Sequence, residues 1–204
     1  MQSIKHTVTD EFEVKHSTFI TYLSPVSDVE TAKGLLASIK AEHPGAAHHC
    51  MAYVIGETQE IQKADDDGEP TKTAGVPILD VLKKNDFTDV LCVVVRYFGG
   101  VKLGAGGLIR AYASGASAAL EKATRVTKRT FLTYAINVDF NHIGTIEHIL
   151  EGETLLSREY THQAIYTVEI EQSREAPFIQ AIKEATRGHA GVAFKECTKR
   201  YTRS

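Results

Sequence analysis

Cysteine is scarce in this sequence, and its placement excludes two classes of small protein. Cys50, Cys92 and Cys197 are odd in number, lie far apart and form no CxxC pair, so neither a disulfide framework nor a zinc knuckle is indicated. Long hydrophobic runs are also missing, since no stretch approaches the roughly 20 apolar residues of a membrane-spanning helix. The N-terminal residues contain no apolar signal-peptide core. These absences predict a cytoplasmic protein with reduced thiols and no membrane contact.

The chain also lacks an excess of charge of one sign, with a formal net charge of −3 over 204 residues. Its overall charge therefore gives no reason to expect nucleic acid or membrane as a partner. The charges are unevenly distributed, however. Residues 96–129 contain seven basic residues and one acidic residue, whereas residues 57–69 contain six acidic residues and one basic residue. The basic segment is a candidate for binding phosphate, and the alternative is a set of solvated charges, some paired with the acidic segment.

Familiar catalytic and nucleotide-binding motifs are absent as well. The sequence contains no GxSxG and no HExxH motif. The segment GAGG at 104–107 does not match GxGxxG, because Ile109 occupies the position of the last glycine, and no Gly-Lys-Ser or Gly-Lys-Thr follows as in a Walker loop. The residues therefore make no strong case for an enzyme.

Hydrophobic patterns predict a mixed fold in the first part of the chain. Residues 4–24 alternate and predict two strands with a turn near Lys15–Ser17. Ser27 and Glu30 have the form of a capping box at the start of a helix. The apolar run VLCVVVRYF at 90–98 is typical of a strand buried on both faces. The other predicted elements are a strand at 48–56, a polar loop at 59–77, a helix at 77–86 and a helix at 106–124.

The composition changes at Thr124–Arg129, where basic residues separate two apolar patterns. We therefore place a domain boundary between residues 128 and 129. The remaining residues show strand–helix–strand–strand–helix–strand order in about 75 residues, which is the ferredoxin-like pattern. The sequence thus predicts an α+β protein with two domains, 1–128 and 129–204.

Five glycines lie within residues 99–107, directly after the predicted buried strand. Because glycine weakens regular structure, such a cluster implies a tight turn, a close approach of the backbone or free amides for an anion. Free amides at a helix N-terminus favour phosphate, and arginine and lysine add positive charge. Close packing of strand and helix is the alternative explanation. The predicted phosphate- or RNA-binding residues are Arg96, Lys102, Gly104, Ala105, Gly106, Gly107 and Arg110.

Two further segments are candidate accessory sites. A strand at HHC (48–50) would place His48 and Cys50 on one face. The two residues could then act as a nucleophile and its base, serve as two metal ligands where zinc requires three or four, or form a buried structural pair. The segment DDDGEP (65–70) fails the EF-hand template, and a looser magnesium site competes with a turn at Asp67. We assign no catalytic residue, metal or cofactor. The predicted accessory residues are His48, His49, Asp66, Asp67, Glu69, Lys72 and Tyr97.

Several of these motifs occur together in a known family. The segments concerned are RYFGGVKLGAGGLIRAY at 96–112, DDGEP at 66–70, TAGVP at 73–77 and HPGAAHHC at 43–50. By these residues the chain resembles the Impact family and, more narrowly, its bacterial YigZ/YvyE branch. The motifs are specific in combination and cover residues 16–125, while residues 140–195 look like the small C-terminal domain of that branch.

The resemblance implies a fold and a cellular process. The first domain would be similar to domain 2 of ribosomal protein S5, and the second would be ferredoxin-like, similar to late domains of translation elongation factor G. Both relatives bind RNA or act on the ribosome, and the eukaryotic Impact members are translational regulators. The additional N-terminal domain of the eukaryotic members is not in this sequence, so partner binding through it is not carried over. Function taken from a shared fold is analogy.

We therefore expect a translation-associated regulatory or binding protein. It would contact RNA, the ribosome or a translation-regulatory protein through its basic, glycine-rich strand–turn–helix. The alternative is an enzyme acting on a phosphorylated small molecule, with Mg²⁺ on the acidic loop and with His48, His49 or Cys50 performing proton or nucleophilic chemistry. The sequence favours the binding protein.

Overall fold

The computed structural model describes residues 1–203, including the side chains of residues 1–202. The packing of Cα atoms separates two compact units, Met1–Thr127 and Lys128–Thr202. Each unit has its own buried apolar core, and each combines helices with antiparallel strands. The predicted mixture of α and β structure is therefore confirmed.

A five-stranded sheet forms the centre of the first unit. The strands of this unit are β1 (Gln2–Ile4), β2 (Val8–Val14), β3 (Ser17–Pro25), β4 (His48–Ile55), β5 (Ile61–Asp65) and β6 (Val90–Tyr97). Its helices are α1 (Val29–Glu42), α2 (Gly75–Lys84) and α3 (Ala105–Lys122). The sheet has the order β2–β3–β6–β4–β5, and all neighbouring strands are antiparallel.

Alternation along β6 explains why helices cover both faces of this sheet. Cys92 and Val94 belong to a buried cluster with residues of α2 and α3, whereas Val93 and Val95 belong to a cluster with residues of α1. All four are fully buried, and burying a valine side chain contributes about 1.5–3 kcal/mol. The prediction of a strand buried on both faces is confirmed. A slip of one residue would exchange the two faces, so packing fixes the register.

The start of α1 differs from the prediction. Asp28 is the N-cap, and its Oδ1 accepts a hydrogen bond from the backbone N–H of Thr31 at 2.8 Å. Ser27 instead donates its hydroxyl to Oδ2 of Asp28 at 2.6 Å, and Glu30 forms an ion pair with Lys33 at 2.7 Å. The predicted capping box is wrong because Asp28, one residue later, accepts the bond instead, and its negative charge is favourable at the positive end of a helix.

The acidic segment is more regular than the sequence predicts. Within the predicted loop 59–77, Ile61–Asp65 form β5, which pairs with β4, and α2 begins at Gly75 rather than at Pro77. Four of the five residues of β5 are exposed. An edge strand with little buried surface lacks the apolar alternation on which the prediction depended.

The second unit contains a further antiparallel sheet. Its strands are β7 (Arg125–Val138, which belongs to this unit from Lys128 onward), β8 (Thr154–Tyr160), β9 (Ala164–Glu171) and β10 (Gly191–Arg203), and its helices are α4 (Ile143–Ile149) and α5 (Glu175–Ala185). The strand order is β7–β9–β8, and β10 also pairs with β7. The predicted order of strands and helices is confirmed. Within residues 1–203, no helix is both long and apolar enough to cross a bilayer.

Candidate functional site

The glycine-rich turn connects the end of β6 to the start of α3, and geometry requires glycine at two of its positions. A Cβ atom on Gly99 would lie 1.8 Å from the carbonyl oxygen of His16, so no other residue permits this approach. Gly104 has a φ of +74°, in the left-handed region that favours glycine. The chain can therefore reverse beside the hairpin of β2 and β3 and enter α3.

The N-terminus of α3 presents backbone amides without a side-chain cap. Gly104 is the N-cap residue, and among the described residues no side chain caps this helix. The first helical bond runs from the N–H of Leu108 to the carbonyl oxygen of Gly104 at 2.9 Å. The amides of Ala105, Gly106 and Gly107 precede that bond and are the unpaired donors of the first turn. The dipole of an 18-residue helix adds positive potential at the same point.

A pocket of about 400 Å³ lies at this end of α3. It gathers residues that are distant in sequence and that belong to the predicted site. These residues are Arg96, Lys102, Gly104 and Ala105, with the accessory residues His48 and Glu69. Phe98 and Leu103 also line the pocket. The structure therefore places much of the predicted phosphate site around one opening.

The register of the sheet explains why some of these side chains meet. Arg96 of β6 is paired with His48 of β4 on one side and with Phe19 of β3 on the other. Residues paired across neighbouring strands share a face of the sheet. The guanidinium carbon of Arg96 lies 5.5 Å from the ring centroid of Phe19 and 5.4 Å from that of Phe98. Arg96 thus lies between two aromatic rings at the floor of the pocket.

The charge of Arg96 is balanced by a buried carboxylate. Its Nη1 donates to Oε1 of Glu69 at 2.6 Å, and the two side chains are only 6% and 4% exposed. The same Oε1 accepts a hydrogen bond from the hydroxyl of Tyr112 at 2.8 Å. Nη2 of Arg96 donates to Oγ of Ser17 at 3.3 Å. The positive charge of Arg96 is therefore largely committed within the protein.

Burial also suppresses ionisation of the neighbouring thiol and phenol. Desolvation raises the pKa of the Cys50 thiol to about 12 and raises the pKa of Tyr112 well above its ordinary value. The thiol of Cys50 donates to the carbonyl oxygen of Asp66 at 3.0 Å. Because only the thiolate is an effective nucleophile, this environment favours the structural interpretation of Cys50 over the catalytic one.

His48 presents one ring nitrogen toward Glu69. Its Nδ1 lies 2.8 Å from the carbonyl oxygen of Asp67. A carbonyl oxygen can only accept, so Nδ1 carries a hydrogen, and Nε2 is an acceptor in the neutral ring. Nε2 lies 3.9 Å from Oε2 of Glu69, which is beyond hydrogen-bond distance.

Asp66 organises the backbone of the acidic segment. Its Oδ1 accepts hydrogen bonds from the amides of Ala74 and Gly75 at 3.0 and 2.8 Å, and its Oδ2 accepts from the amide of Lys72 at 2.7 Å. These amides lie at and just before the start of α2, so Asp66 supplies a side-chain cap for a helix that begins at Gly75 and whose N-cap residue is Ala74. Lys72 contributes its backbone N–H to this contact, and the residue is exposed.

Asp67 and His49 also have structural partners. Oδ1 of Asp67 pairs with Nζ of Lys40 at 2.8 Å, and Oδ2 accepts from the backbone N–H of His49 at 2.7 Å. Partial burial opposes the effect, but these bonds hold the pKa of Asp67 below its ordinary value. Nε2 of His49 contacts the carbonyl oxygen of His43 at 3.1 Å. The magnesium interpretation of the loop loses its carboxylates to these contacts, and within residues 1–203 no three His, Cys, Asp or Glu side chains are grouped to hold a metal ion.

The other predicted residues lie outside this pocket. Tyr97 packs on the α1 face of the sheet, where its hydroxyl lies 2.9 Å from Nδ1 of His43. Gly107 and Arg110 line a neighbouring pocket of about 310 Å³, and Gly106 is exposed on the first turn of α3. Lys102 and Arg110 are both exposed, and the described part of the chain gives neither of them an ion-pair partner.

The sequence alone does not show that Glu69 is the counter-ion of Arg96. The two residues are 27 positions apart, and neither belongs to a motif with a fixed spacing to the other. One signal was available, however. An arginine near the end of an otherwise apolar strand must be paired if it is buried, and that reasoning directs a search for a buried carboxylate.

Comparison with known proteins relates both units to described families. A family model for the Impact N-terminal domain matches residues 15–120, and a model for a domain of unknown function (DUF1949) matches residues 136–189. The IMPACT family member YvyE of Bacillus subtilis is 39% identical over 198 residues, covering 96% of this chain and 91% of the relative. The IMPACT family member YigZ of Escherichia coli is 36% identical over 186 residues, covering 89% of this chain and 91% of the relative.

Similarity extends to a solved structure and, more weakly, to eukaryotic proteins. The crystal structure of a hypothetical protein has a TM-score of 0.61 to this chain and 34% sequence identity, covering 96% of this chain and 97% of its own. The Protein IMPACT homolog of Saccharomyces cerevisiae is 33% identical over 103 residues, covering 48% of this chain and 39% of the relative. The extent and identity of the bacterial matches show that this chain belongs to the Impact family.

Proposed function

We propose that this protein is a translation-associated binding protein that holds RNA phosphates at the N-terminus of α3. One observation supports the proposal above all. The helix begins with amides that no side chain caps among the described residues, and the same helix end lines a pocket of about 400 Å³ together with Lys102. Amides at the positive end of a helix dipole bind phosphate oxygens, and a lysine adds a full positive charge.

Lys102 and Arg110 are the cations that we expect to contact phosphate first. Both are exposed, whereas the charge of Arg96 is balanced by Glu69. The two exposed cations line neighbouring pockets of about 400 and 310 Å³, which share Leu103. Successive phosphates of one strand could therefore occupy the two pockets. Arg96 would then shape the site. The sequence suggests instead that Arg96 contacts phosphate directly.

Phe98 offers a surface on which a base could stack. This residue is 52% exposed. The guanidinium of Arg96, 5.4 Å from the ring centroid, supports the ring from one side. Sites for single-stranded RNA combine cationic grooves with aromatic side chains that stack on bases. The pocket has both components.

Family membership supports the link to translation. We propose that the two units are domains 1–128 and 129–204, the first similar in fold to domain 2 of ribosomal protein S5 and the second ferredoxin-like. For the second domain, support comes from its strand–helix–strand–strand–helix–strand order and from the pairing of β10 and β9 with β7. The relatives of both folds act on the ribosome, so ribosomal RNA is the partner that we favour.

The enzymatic alternative has less support. It requires Asp66 and Asp67 as magnesium ligands, but Asp66 binds three backbone amides and Asp67 pairs with Lys40. It also requires a nucleophile, and burial raises the pKa of Cys50 to about 12. A protein partner in translation remains the competing class of binding function, and the experiment below distinguishes it.

The experiment measures the binding of single-stranded RNA by fluorescence anisotropy at increasing salt. Wild-type affinity should fall steeply between about 50 and 200 mM salt, because phosphate contacts release counter-ions. Lys102→Glu combined with Arg110→Glu should weaken binding at least about tenfold and reduce the salt dependence by about one unit of slope per lost contact. The melting temperature should change little, since both side chains are exposed.

A matched control places the same charge change elsewhere. Lys83→Glu with Lys84→Glu alters two exposed lysines at the end of α2 and should leave RNA binding nearly unchanged. Wild-type affinity in the Lys102/Arg110 double variant would reject the proposed site. If the wild type binds no RNA but retains a translation protein after nuclease treatment, the protein-binding alternative is correct.

A further inference from the structure

We infer that the floor of the pocket recognises the exocyclic amino group of a nucleobase, so that the protein prefers single-stranded RNA bearing cytosine over RNA bearing uracil. This inference rests on the proposed function and specifies the ligand of the same site. It depends on two hydrogen-bond acceptors, Oε2 of Glu69 and Nε2 of His48, that face each other with no donor between them.

The first acceptor is an open oxygen on a buried carboxylate. Oε1 of Glu69 already accepts from Arg96 at 2.6 Å and from Tyr112 at 2.8 Å. Oε2 has no donor within hydrogen-bond distance in the described part of the chain, and its nearest basic atom is Nε2 of His48 at 3.9 Å. The Glu69 side chain is only 4% exposed and lines the pocket. Oε2 is not among the buried polar atoms that lack a partner, so this oxygen is accessible from the pocket and a hydrogen-bond donor of a ligand can reach it.

The second acceptor has its orientation fixed by the backbone. Nδ1 of His48 carries a hydrogen, because it contacts the carbonyl oxygen of Asp67 at 2.8 Å. In its neutral form the ring then presents the lone pair of Nε2, and His48 also lines the pocket.

Two neighbouring acceptors select a ligand group with two donors. An exocyclic amino group has two N–H bonds and can donate one to each acceptor. Cytosine carries such a group at N4, where uracil carries the acceptor O4, and a carboxylate accepting from cytosine N4 is an established pairing in nucleic-acid recognition. Uracil at the same place would bring a third acceptor against two others. Cytosine and uracil are otherwise alike in size and stacking surface.

The rest of the pocket fits the other parts of a nucleotide. Phe98 offers a stacking surface for the base, while Lys102 and the first amides of α3 provide a place for the phosphate. The volume of about 400 Å³ lies within the range of about 300–1,000 Å³ that is usual for small-molecule sites. A ligand that places hydrogen-bond donors at the floor of the pocket and an anion at its rim has the features of a nucleotide.

The test compares two labelled RNAs of about eight nucleotides, one containing only cytidine and one containing only uridine, by anisotropy at one salt concentration. We expect the cytidine RNA to bind the wild type at least about tenfold more tightly, since sites built to hydrogen-bond a group discriminate strongly against analogues that lack it. Equal affinity for the two RNAs, with the expected salt dependence, would overturn this inference and leave the proposed function standing. Failure to bind either RNA would overturn both.

Variants separate base recognition from phosphate contact. His48→Phe keeps a ring of similar size but removes one acceptor, so the ratio of cytidine affinity to uridine affinity should fall. Lys102→Glu should weaken both RNAs by the same factor. Circular dichroism of each variant verifies that it is folded. A cytidine preference that persists undiminished in folded His48→Phe contradicts recognition by two acceptors.

Discussion

Removal of the Glu69 carboxylate should destabilise the first unit severely. In Glu69→Ala the guanidinium of Arg96 loses its carboxylate partner at 2.6 Å, and the hydroxyl of Tyr112 loses an acceptor at 2.8 Å. Both donors stay buried, because the Arg96 side chain is 6% exposed and Tyr112 is fully buried. The substitution therefore leaves a buried charge and a buried hydroxyl without their partner.

The magnitude follows from the two costs. Breaking a buried ion pair by removing one partner costs about 3–5 kcal/mol, and a buried hydroxyl without an acceptor costs about 1–3 kcal/mol. The costs do not simply add, because water can enter through the adjacent pocket and solvate Arg96. We expect a loss of about 3–4 kcal/mol in the free energy of unfolding, which is a large part of the 5–15 kcal/mol that is typical of a domain.

The assay must separate two units in a chain without tryptophan. Urea unfolding is monitored by far-UV circular dichroism. Two units that unfold independently give two transitions, each with its own midpoint. Hydrogen exchange on peptides from β4, β6 and α3 then assigns the shifted transition to the first unit. Glu30→Ala is the control, because it removes an ion pair in which Glu30 is 82% and Lys33 62% exposed, and its midpoint should not shift resolvably.

A double variant tests the reasoning itself. Glu69→Leu with Arg96→Met replaces both charges by apolar side chains, so no unpaired charge remains, and the double variant should be more stable than Glu69→Ala. A loss below about 1 kcal/mol in the free energy of unfolding of Glu69→Ala is typical of an exposed ion pair. Such a value would refute the claim that Glu69 and Arg96 behave as a buried ion pair. A double variant less stable than the single one would refute the stated cause.

Two other regions give further predictions. Gly99→Ala should cost about 3 kcal/mol or more, since its Cβ would lie 1.8 Å from the carbonyl oxygen of His16, whereas Gly106→Ala, whose Cβ would first meet Nη1 of Arg110 at 3.6 Å, should unfold in urea at the wild-type midpoint or above. In the second unit the hydrogen bonds from Arg200 hold the pKa of Glu169 below its ordinary value. Their contribution to the stability of the folded state is therefore present above the unfolded pKa of about 4.3 and is lost as the pH falls through the lowered folded pKa. Thermal unfolding measured from pH 7 to pH 3 should show this loss in the wild type and not in Glu169→Gln.

The elements of the fold that the sequence predicts well are those with strong local patterns. The strand at 90–98 and the helix after it appear almost where expected, because burial of alternating or helically spaced side chains is encoded within each segment. β5 was missed because an exposed edge strand has no such code. The cap of α1 was displaced by one residue because Ser27 and Asp28 are both good caps, and only the geometry shows which one binds the amide of Thr31.

The site divides along the same line. The glycines and basic residues from Lys102 to Arg110 are neighbours in sequence, so a local pattern could identify them as candidates. The floor of the pocket depends on strand register, which pairs His48 with Arg96, and on a contact between Glu69 and Arg96 across 27 positions. No local pattern encodes that pairing. For this reason the sequence predicts that Arg96 contacts phosphate, whereas in the structure its charge is balanced by the carboxylate of Glu69.

The buried pair also bears on what the pocket holds. If stability were its whole purpose, apolar side chains of similar volume would serve at least as well, since desolvation offsets much of the attraction between buried charges. What the pair provides, and apolar residues could not, is a fixed carboxylate whose second oxygen is left open at 3.9 Å from His48. Because Arg96 and Glu69 cancel each other, the positive potential of the pocket comes from Lys102 and the end of α3, at the rim. An anion alone would leave the polar floor unsatisfied, so the arrangement favours a ligand that has a phosphate at one end and hydrogen-bond donors at the other.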